Sequence, residues 1–355
     1  MRILVIQTAF LGDCVLTLPF LARLCESFPQ AQVDVVATGP GAELFRIALE
    51  RGLAPQASRI RVVEYDKKKS QRGFWASRRF ARELRTAGTP YAYAFCIQRS
   101  LRTALLAIMS GAIERVGFSS GSVAFLYTRL IRRDWENGRF ENEKNLDLLR
   151  GLVGAENVPT WKPSSAPSLL HATQRTARKN FANPSAPVLL SLGSPWPTKR
   201  WPVENAVPLV EKLTNEGTEV HLIGDAATIP LSQALRDRVP SLLLKDLTGK
   251  TQLREWIDRI SDAQAVISSD SAAVHVASDL GVPIIALFGP TLPEFGFAPW
   301  RAQSSAVGIE LACRPCHIHG PKKCPLGHHH CLRHLDSKLV ESELRKFLDP
   351  APGTR

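Results

Sequence analysis

The chain has 355 residues, 44% of them hydrophobic and 22% charged, which excludes wholesale disorder and, at roughly 150 residues per domain, predicts two domains. Its 45 Lys+Arg against 33 Asp+Glu give a formal charge of +12. No apolar run reaches the ~18 residues that a spanning helix needs, so membrane contact is expected to be peripheral.

In chain order, a buried strand over 2–7 leads into a helix over about 14–27. A strand over 32–37, a helix over 41–50, a strand over 91–97 and a helix over 99–110 follow. Pro159, Pro163, Pro167, Pro184 and Pro187, with Ser164, Ser165 and Ser168, mark a linker that carries a helix pattern over 174–181. Strands over 187–192, 219–223, 265–268 and 283–288 come next, with helical stretches between and after them. An amphipathic pattern over 337–348 closes the chain. This alternation predicts two doubly wound parallel α/β sheets, with ligands in a cleft outside the carboxyl ends of the strands. The first residues run straight into a strand without the layout of a signal peptide, so a cytoplasmic protein is expected.

Charge is uneven. Residues 1–150 hold 23 Lys+Arg and 14 Asp+Glu, a net +9, which leaves +3 for the rest. Lys67, Lys68, Lys69, Arg72, Arg78, Arg79, Arg82 and Arg85 crowd one stretch. A polyanion fits this half: nucleic acid, an acidic membrane surface or an acidic glycolipid. A solvated basic face fits it equally. Aromatic interleaving is sparse, which disfavours stacking on nucleic acid.

Several loops just past strands carry chemistry. Gly12-Asp13 follows the first strand, and Asp13 is either a helix cap or a general base. Ser194 to Pro202 holds Lys199 and Arg200, cations that can neutralise a diphosphate or simply face solvent. Asp225 follows Gly224 and is either a turn residue or a ribose contact. Asp270-Ser271-Ala272-Ala273 opens a helix whose first N–H groups make an anion site. Asp270 itself would repel phosphate and is expected to cap the helix or to bond a hydroxyl or a neighbouring cation. His275 lies one turn in, as a core ring or a ligand contact. Gly289-Pro290-Thr291 is a turn that could reach the same ligand. Seven cysteines, an odd number, do not read as a disulfide scaffold. Cys313, Cys316, Cys324 and Cys331, with histidines nearby, could hold zinc, although their spacing is not a doubled C-x-x-C; reduced thiols or a labile disulfide are the alternatives.

Taken in order, Leu11-Gly12-Asp13, Leu18-Pro19, Lys199-Arg200-Trp201-Pro202, Leu247-Thr248-Gly249-Lys250-Thr251, Ser269-Asp270-Ser271 to Ala277, Leu280-Gly281-Val282-Pro283 and Ala286 to Thr291 resemble the lipopolysaccharide heptosyltransferases of glycosyltransferase family 9. The run Cys316, Cys324-Pro325-Leu326-Gly327-His328-His329 and Cys331 resembles the heptosyltransferase II group.

The resemblance implies a GT-B architecture of two facing Rossmann-like domains. Residues 1–165 would bind the acceptor, 166–187 would link, 188–335 would bind the donor, and 336–355 would form a C-terminal helix and tail. It implies an inverting enzyme that needs no bound metal and moves L-glycero-D-manno-heptose from ADP-heptose to Kdo-lipid A or heptosyl-Kdo-lipid A. Heptosyltransferase I, another family 9 core enzyme and a sugar-nucleotide epimerase of the same fold are the alternatives. Asp13 would then be the base and Lys199 the diphosphate cation. Ser194, Arg200, Asp225, Thr251, Asp270, Ser271, Ala272, Ala273, His275 and Thr291 would serve the donor. Lys67, Lys68, Lys69 and Arg72 would draw the acidic acceptor and the anionic inner leaflet of the inner membrane, with no nucleic-acid partner. Ala272 departs from the glycine usual in the family, and Phe10 departs from small polar residues.

Overall fold

The computed structural model describes residues 1–66, 70, 71, 73–133, 138–162, 166–172, 183, 185–301 and 303–348. Contacts divide the chain into two units, Met1–Lys162 and Pro163–Arg355. The expected linker helix over 174–181 lies outside the described residues.

Unit one runs β1 (Arg2–Gln7), α1 (Leu11–Val15), α2 (Leu18–Ser27), β2 (Gln32–Ala37), α3 (Gly39–Glu50), β3 (Ile60–Glu64), α4 (Phe74–Thr86), β4 (Tyr91–Cys96), α5 (Leu101–Met109), β5 (Glu114–Phe118), β6 (Arg129–Ile131) and α6 (Glu141–Val153). Its sheet order is β3-β2-β1-β4-β5-β6, with every pair parallel. Unit two runs β7 (Val188–Ser191), α7 (Val203–Asn215), β8 (Val220–Leu222), α8 (Ile229–Arg236), β9 (Leu244–Asp246), α9 (Leu253–Ser261), β10 (Ala265–Ser269), α10 (Ala272–Leu280), β11 (Ile284–Leu287), β12 (Ser304–Val307), α11 (His330–Arg333) and α12 (Ser337–Leu348). Its order, β12-β11-β10-β7-β8-β9, is again all parallel. Central strands such as β1 and β10 are buried along nearly their whole length, as strands covered on both faces must be.

The structure differs from the sequence reading in several places, helices α4 and α6 among them, which the sequence reading did not contain. The single helix expected over 14–27 is two helices. Pro19 sits in the first turn of α2 and has no N–H to continue α1, and the Thr17 hydroxyl takes the Asp13 carbonyl at 2.7 Å. Strands β3, β5, β6, β9 and β12 went unread because they are short and mix apolar with charged or small residues, as in the Leu-Lys-Asp of β9. The C-terminal helix α12 is part of the unit-two core, with Val340 and Leu344 buried beside Leu213 and Leu287.

The amino edge of unit one is fastened by Asp34 of β2. Its carboxylate accepts from Arg2 of β1 at 2.6 Å, from Arg61 of β3 at 2.8 Å and from the Tyr91 hydroxyl of β4. Burial pushes the Asp34 carboxyl up, but the bonds from Arg61, Tyr91 and Arg2 outweigh it and hold the group below its ordinary value. Asp34 therefore adds stability at neutral pH that is lost as pH falls through its folded-state value. Asp34→Ala leaves Arg2 buried without its partner and is expected to cost about 3 kcal/mol in urea unfolding at pH 7. A loss below about 0.5 kcal/mol would show that the four strands do not depend on it.

Candidate functional site

In unit two the strand order reverses between β7 and β10, and the loops that leave these neighbours part in opposite directions. The loop after β7 carries Lys199 and the loop after β10 carries Asp270. Lys199 Nζ donates to Asp270 Oδ2 at 2.6 Å, and the Thr291 hydroxyl, from the loop after β11, donates to the same oxygen at 2.9 Å. Both charged side chains are almost wholly buried, at 11% and 6% exposure. Of the roles open to Asp270, the structure selects the cation and the hydroxyl together. The cap position of α10 belongs instead to Ser271, in extended backbone, with its hydroxyl 3.0 Å from that of Ser268.

The Lys199 loop is held from several sides. Trp201 is fully buried; its backbone N–H donates to the Ser269 hydroxyl at 3.2 Å and its indole N–H to the Leu335 carbonyl at 3.1 Å. Arg200 donates to the Ser194 carbonyl at 3.0 Å, and the Ser194 hydroxyl accepts from the N–H of Trp196. These two residues thus brace the loop internally. A Cβ on Gly320 would stand 3.0 Å from Lys199 Cε, so the glycine lets the backbone lie against the lysine stem.

Behind this loop sits the cysteine and histidine segment. His329 Nε2 lies 2.6 Å from the Thr198 carbonyl, and the Thr198 hydroxyl donates to the Pro321 carbonyl. Arg314 donates to the carbonyls of Phe288 and Thr291, both at 3.0 Å. The segment is therefore a clamp on the loops that bear Lys199 and Thr291, a role the sequence reading missed. Burial, then Cys313 and Cys324, push the Cys316 thiol up, and burial pushes that of Cys331 up to about 11. Among the described residues no group of three or more His, Cys, Asp or Glu is arranged to hold a metal ion.

His275 lies inside unit two rather than at its surface. Its ring stacks on Trp300 with centroids 5.9 Å apart and planes 13° apart. Burial pulls it down to about 4, with Asp270 opposing and Lys199 adding, so it is neutral at pH 7. The Gly249 N–H donates to the Gly224 carbonyl at 2.9 Å, which joins the loops after β8 and β9 that carry Asp225 and Thr251. Asp225 is exposed and its carboxylate accepts from Thr228 at 3.0 Å; Thr251 is half-buried.

Unit one repeats the arrangement between β1 and β4. Asp13 is the third residue of α1, not its cap, and its carboxylate accepts the Phe10 N–H at 3.2 Å. Gln7 clasps this turn, accepting from the Ala9 N–H at 3.2 Å and donating to the Thr17 hydroxyl at 2.9 Å. Thr8 donates to Gln98 at 2.8 Å, which ties the loops after β1 and β4 together. The Asp13 side chain stays half-exposed at the carboxyl edge, beside exposed Phe10.

At the same edge lies a cationic cluster that no local motif announces. Arg99 follows β4, Arg133 follows β6, and Lys144 projects from α6, almost wholly buried. Glu141 takes two bonds from Arg133 at 2.6 Å. Burial pulls the Lys144 amine below its ordinary value; Glu141 opposes this, and Arg133, Arg139 and Arg99 add to it. Lys67, Lys68, Lys69 and Arg72 lie outside the described residues.

The sequence model of glycosyltransferase family 9 (heptosyltransferase) matches residues 77–327. Lipooligosaccharide heptosyltransferase 2 of Haemophilus influenzae is 26% identical over 308 residues, covering 83% of this chain and 85% of that protein. Lipopolysaccharide heptosyltransferase 1 of Pseudomonas aeruginosa is 28% identical over 328 residues, covering 89% and 86%. Among solved structures, E. coli ADP-heptose LPS heptosyltransferase II superposes with a TM-score of 0.72 at 22% identity, covering 98% of each chain. The family 9 glycosyl transferase from Veillonella parvula superposes at 0.77 and 21% identity, covering 98% and 97%. The fold of both units is thus the expected GT-B class.

Removing one partner of a buried ion pair strands the other charge. Lys199→Ala is expected to cost about 3 kcal/mol in chemical unfolding, and Lys199→Met with Asp270→Asn to recover most of it. Equal losses in the two proteins would show that the pair is not what holds these loops.

Proposed function

Since this chain belongs to glycosyltransferase family 9 and is a glycosyltransferase, we propose that it moves L-glycero-D-manno-heptose from ADP-heptose to the inner core of lipopolysaccharide, as the second heptose. The observation that carries this reading is Lys199, fixed at the start of α10 by Asp270, whose carboxylate also accepts from Thr291. An ammonium has three N–H groups, and Asp270 uses one. The others, with the N–H groups of Ala272 and Ala273 in the first turn of α10, suit the two phosphates of ADP. The methyl of Ala272 leaves its N–H in place. In this reading no metal ion is needed to neutralise the diphosphate.

The acceptor oxygen attacks C1 of the donor heptose, and Asp13 takes its proton. The bond from C1 to the β-phosphate oxygen breaks and its electron pair leaves with ADP, so the configuration at C1 inverts. Asp225 and Thr251 would hold the nucleoside, and Ser194, Arg200 and Ser271 would shape the loops around the phosphates. His275, neutral and enclosed, would support α10 from within and not touch the donor. On the acceptor side, Arg99, Arg133 and Lys144 and the +9 of residues 1–150 suit an acidic Kdo-bearing glycolipid. Among the described residues no helix is long and apolar enough to cross a membrane. We place the enzyme peripherally, at the cytoplasmic face of the inner membrane. Addition of the first heptose is the second reading, favoured by the 28% identity to heptosyltransferase 1 of Pseudomonas aeruginosa.

The roles separate in kinetics and binding. Asp13→Ala is expected to abolish transfer while ADP-heptose affinity, read by calorimetry, stays within about threefold. In the folded Lys199→Met, Asp270→Asn protein, kcat/KM is expected to fall by on the order of 100-fold or more. Asp13→Ala losing affinity and stability together, or the double variant turning over normally, would contradict these assignments.

A further inference from the structure

Unit one carries an apolar patch that its own core does not absorb. Helix α4 buries Ser77, Phe80, Ala81 and Leu84, one face at helical spacing. Phe74 and Trp75, at its first turn, are 54% and 73% exposed and pack edge-to-face at 5.5 Å; Phe74 lies in line with Ser77 on the side of α5, and Trp75 opens the exposed face. On α5, Leu101 is 55% exposed and leads an apolar stripe through Leu105 to Met109. Between the helices lies a hollow of about 340 Å³ lined by Gly73, Phe74, Leu101, Leu105 and Met109, together with Ser77 and Arg102.

Basic side chains outnumber acids on the two helices that carry this patch. Arg78, Arg79 and Arg82 continue the exposed stripe of α4 from Trp75, and the Arg78 guanidinium lies 5.7 Å from the Trp75 ring. Arg102 is exposed on α5, which has no acidic residue, and Glu83 is the one acid on α4. Paired aromatics at a helix start with arginines behind them are the composition of a surface that beds in the headgroup layer of an anionic bilayer. Topology adds a direction. Helices α4 and α5 each begin where a strand of unit one ends, so the patch borders the same carboxyl edge that presents Asp13.

We propose that the first turns of α4 and α5 form a membrane-docking surface, in which Phe74, Trp75 and Leu101 enter the interface of an anionic phospholipid bilayer while Arg78, Arg79 and Arg102 contact its phosphates. This deepens the proposed function, since it gives the acceptor-binding unit a foothold beside a lipid-linked substrate. Bilayer binding itself requires no sugar.

The test is co-sedimentation of the full chain with vesicles of equal parts phosphatidylethanolamine and phosphatidylglycerol, against vesicles of phosphatidylcholine alone. The chain should bind the anionic vesicles preferentially, and less so as salt rises. Phe74→Ser with Trp75→Ser should weaken binding about tenfold or more, as two aromatic insertions are lost. Arg78→Glu with Arg102→Glu should weaken it by at least about tenfold through the charge. Both variants should melt as the parent does and keep its rate of sugar transfer to a deacylated, water-soluble acceptor. Parental vesicle binding by both variants would overturn the proposal, as would equal binding to phosphatidylcholine. So would a dimeric parent that the Phe74, Trp75 variant converts to monomer with vesicle binding unchanged, since the patch would then join two copies. If the parent itself fails to transfer heptose to the soluble acceptor, the proposed function falls while the vesicle result stands.

Discussion

A buried ammonium and a buried carboxylate 2.6 Å apart, Lys199 and Asp270, meet where the strand order of the second sheet reverses. Taking both charges out of water is costly, and the pair persists only because its surroundings complete it. Thr291 gives the carboxylate a second donor, Trp201 pins the loop to the core, and Gly320 lets the chain close over the lysine stem. His329 reaches back 131 residues to the carbonyl of Thr198, and Arg314 reaches back 23 residues to that of Thr291. The result is a cation with a fixed position beside the amino end of α10, which is why the proposed function assigns it to the diphosphate.

The two edges of the first unit are held in different ways. At the amino edge, Asp34 draws Arg2, Arg61 and Tyr91 together and fastens four strands through one carboxylate. At the carboxyl edge the described loops are joined by pairwise contacts rather than through one carboxylate. Short side-chain contacts, Gln7 on the turn after β1 and Thr8 on Gln98, keep Asp13 presented. The conformational demands of the turn and the exposure of its carboxylate are compatible because Asp13 accepts the Phe10 N–H while its side chain stays half-exposed.

Much of this was legible in the sequence, and what was not has a physical reason. Central strands such as β1 and β10 announce themselves because burial on both faces demands unbroken apolar runs. Edge strands such as β9 and β12 are covered less and need no such pattern. Asp270 was readable as a partner for a cation or a hydroxyl, because a carboxylate next to a helix start and a neighbouring lysine loop has few other neutral outcomes. That both contacts converge on one oxygen depends on three loops far apart in sequence. The cationic cluster of Arg99, Arg133 and Lys144 has no spacing to reveal it, since Arg99 follows β4 while Arg133 and Lys144 lie in the loop and helix after β6. The cysteine and histidine run looked like a ligand set because residue type was all the sequence offered. In the fold its histidine and arginine act through backbone carbonyls, and its prolines and glycines set the path. His275 shows the same ambiguity resolved the other way, as a neutral ring stacked on Trp300 inside the unit.

The central claim is that these two units make one inverting transferase for a second heptose. It is tested most directly by mass spectrometry of purified protein with ADP-heptose and acceptors of defined length. The account predicts a gain of one heptose on heptosyl-Kdo-lipid A, released ADP in equal amount, and no gain on Kdo-lipid A. A gain on Kdo-lipid A alone would contradict the position assigned, and ADP-heptose left unconsumed with every acceptor would contradict the activity.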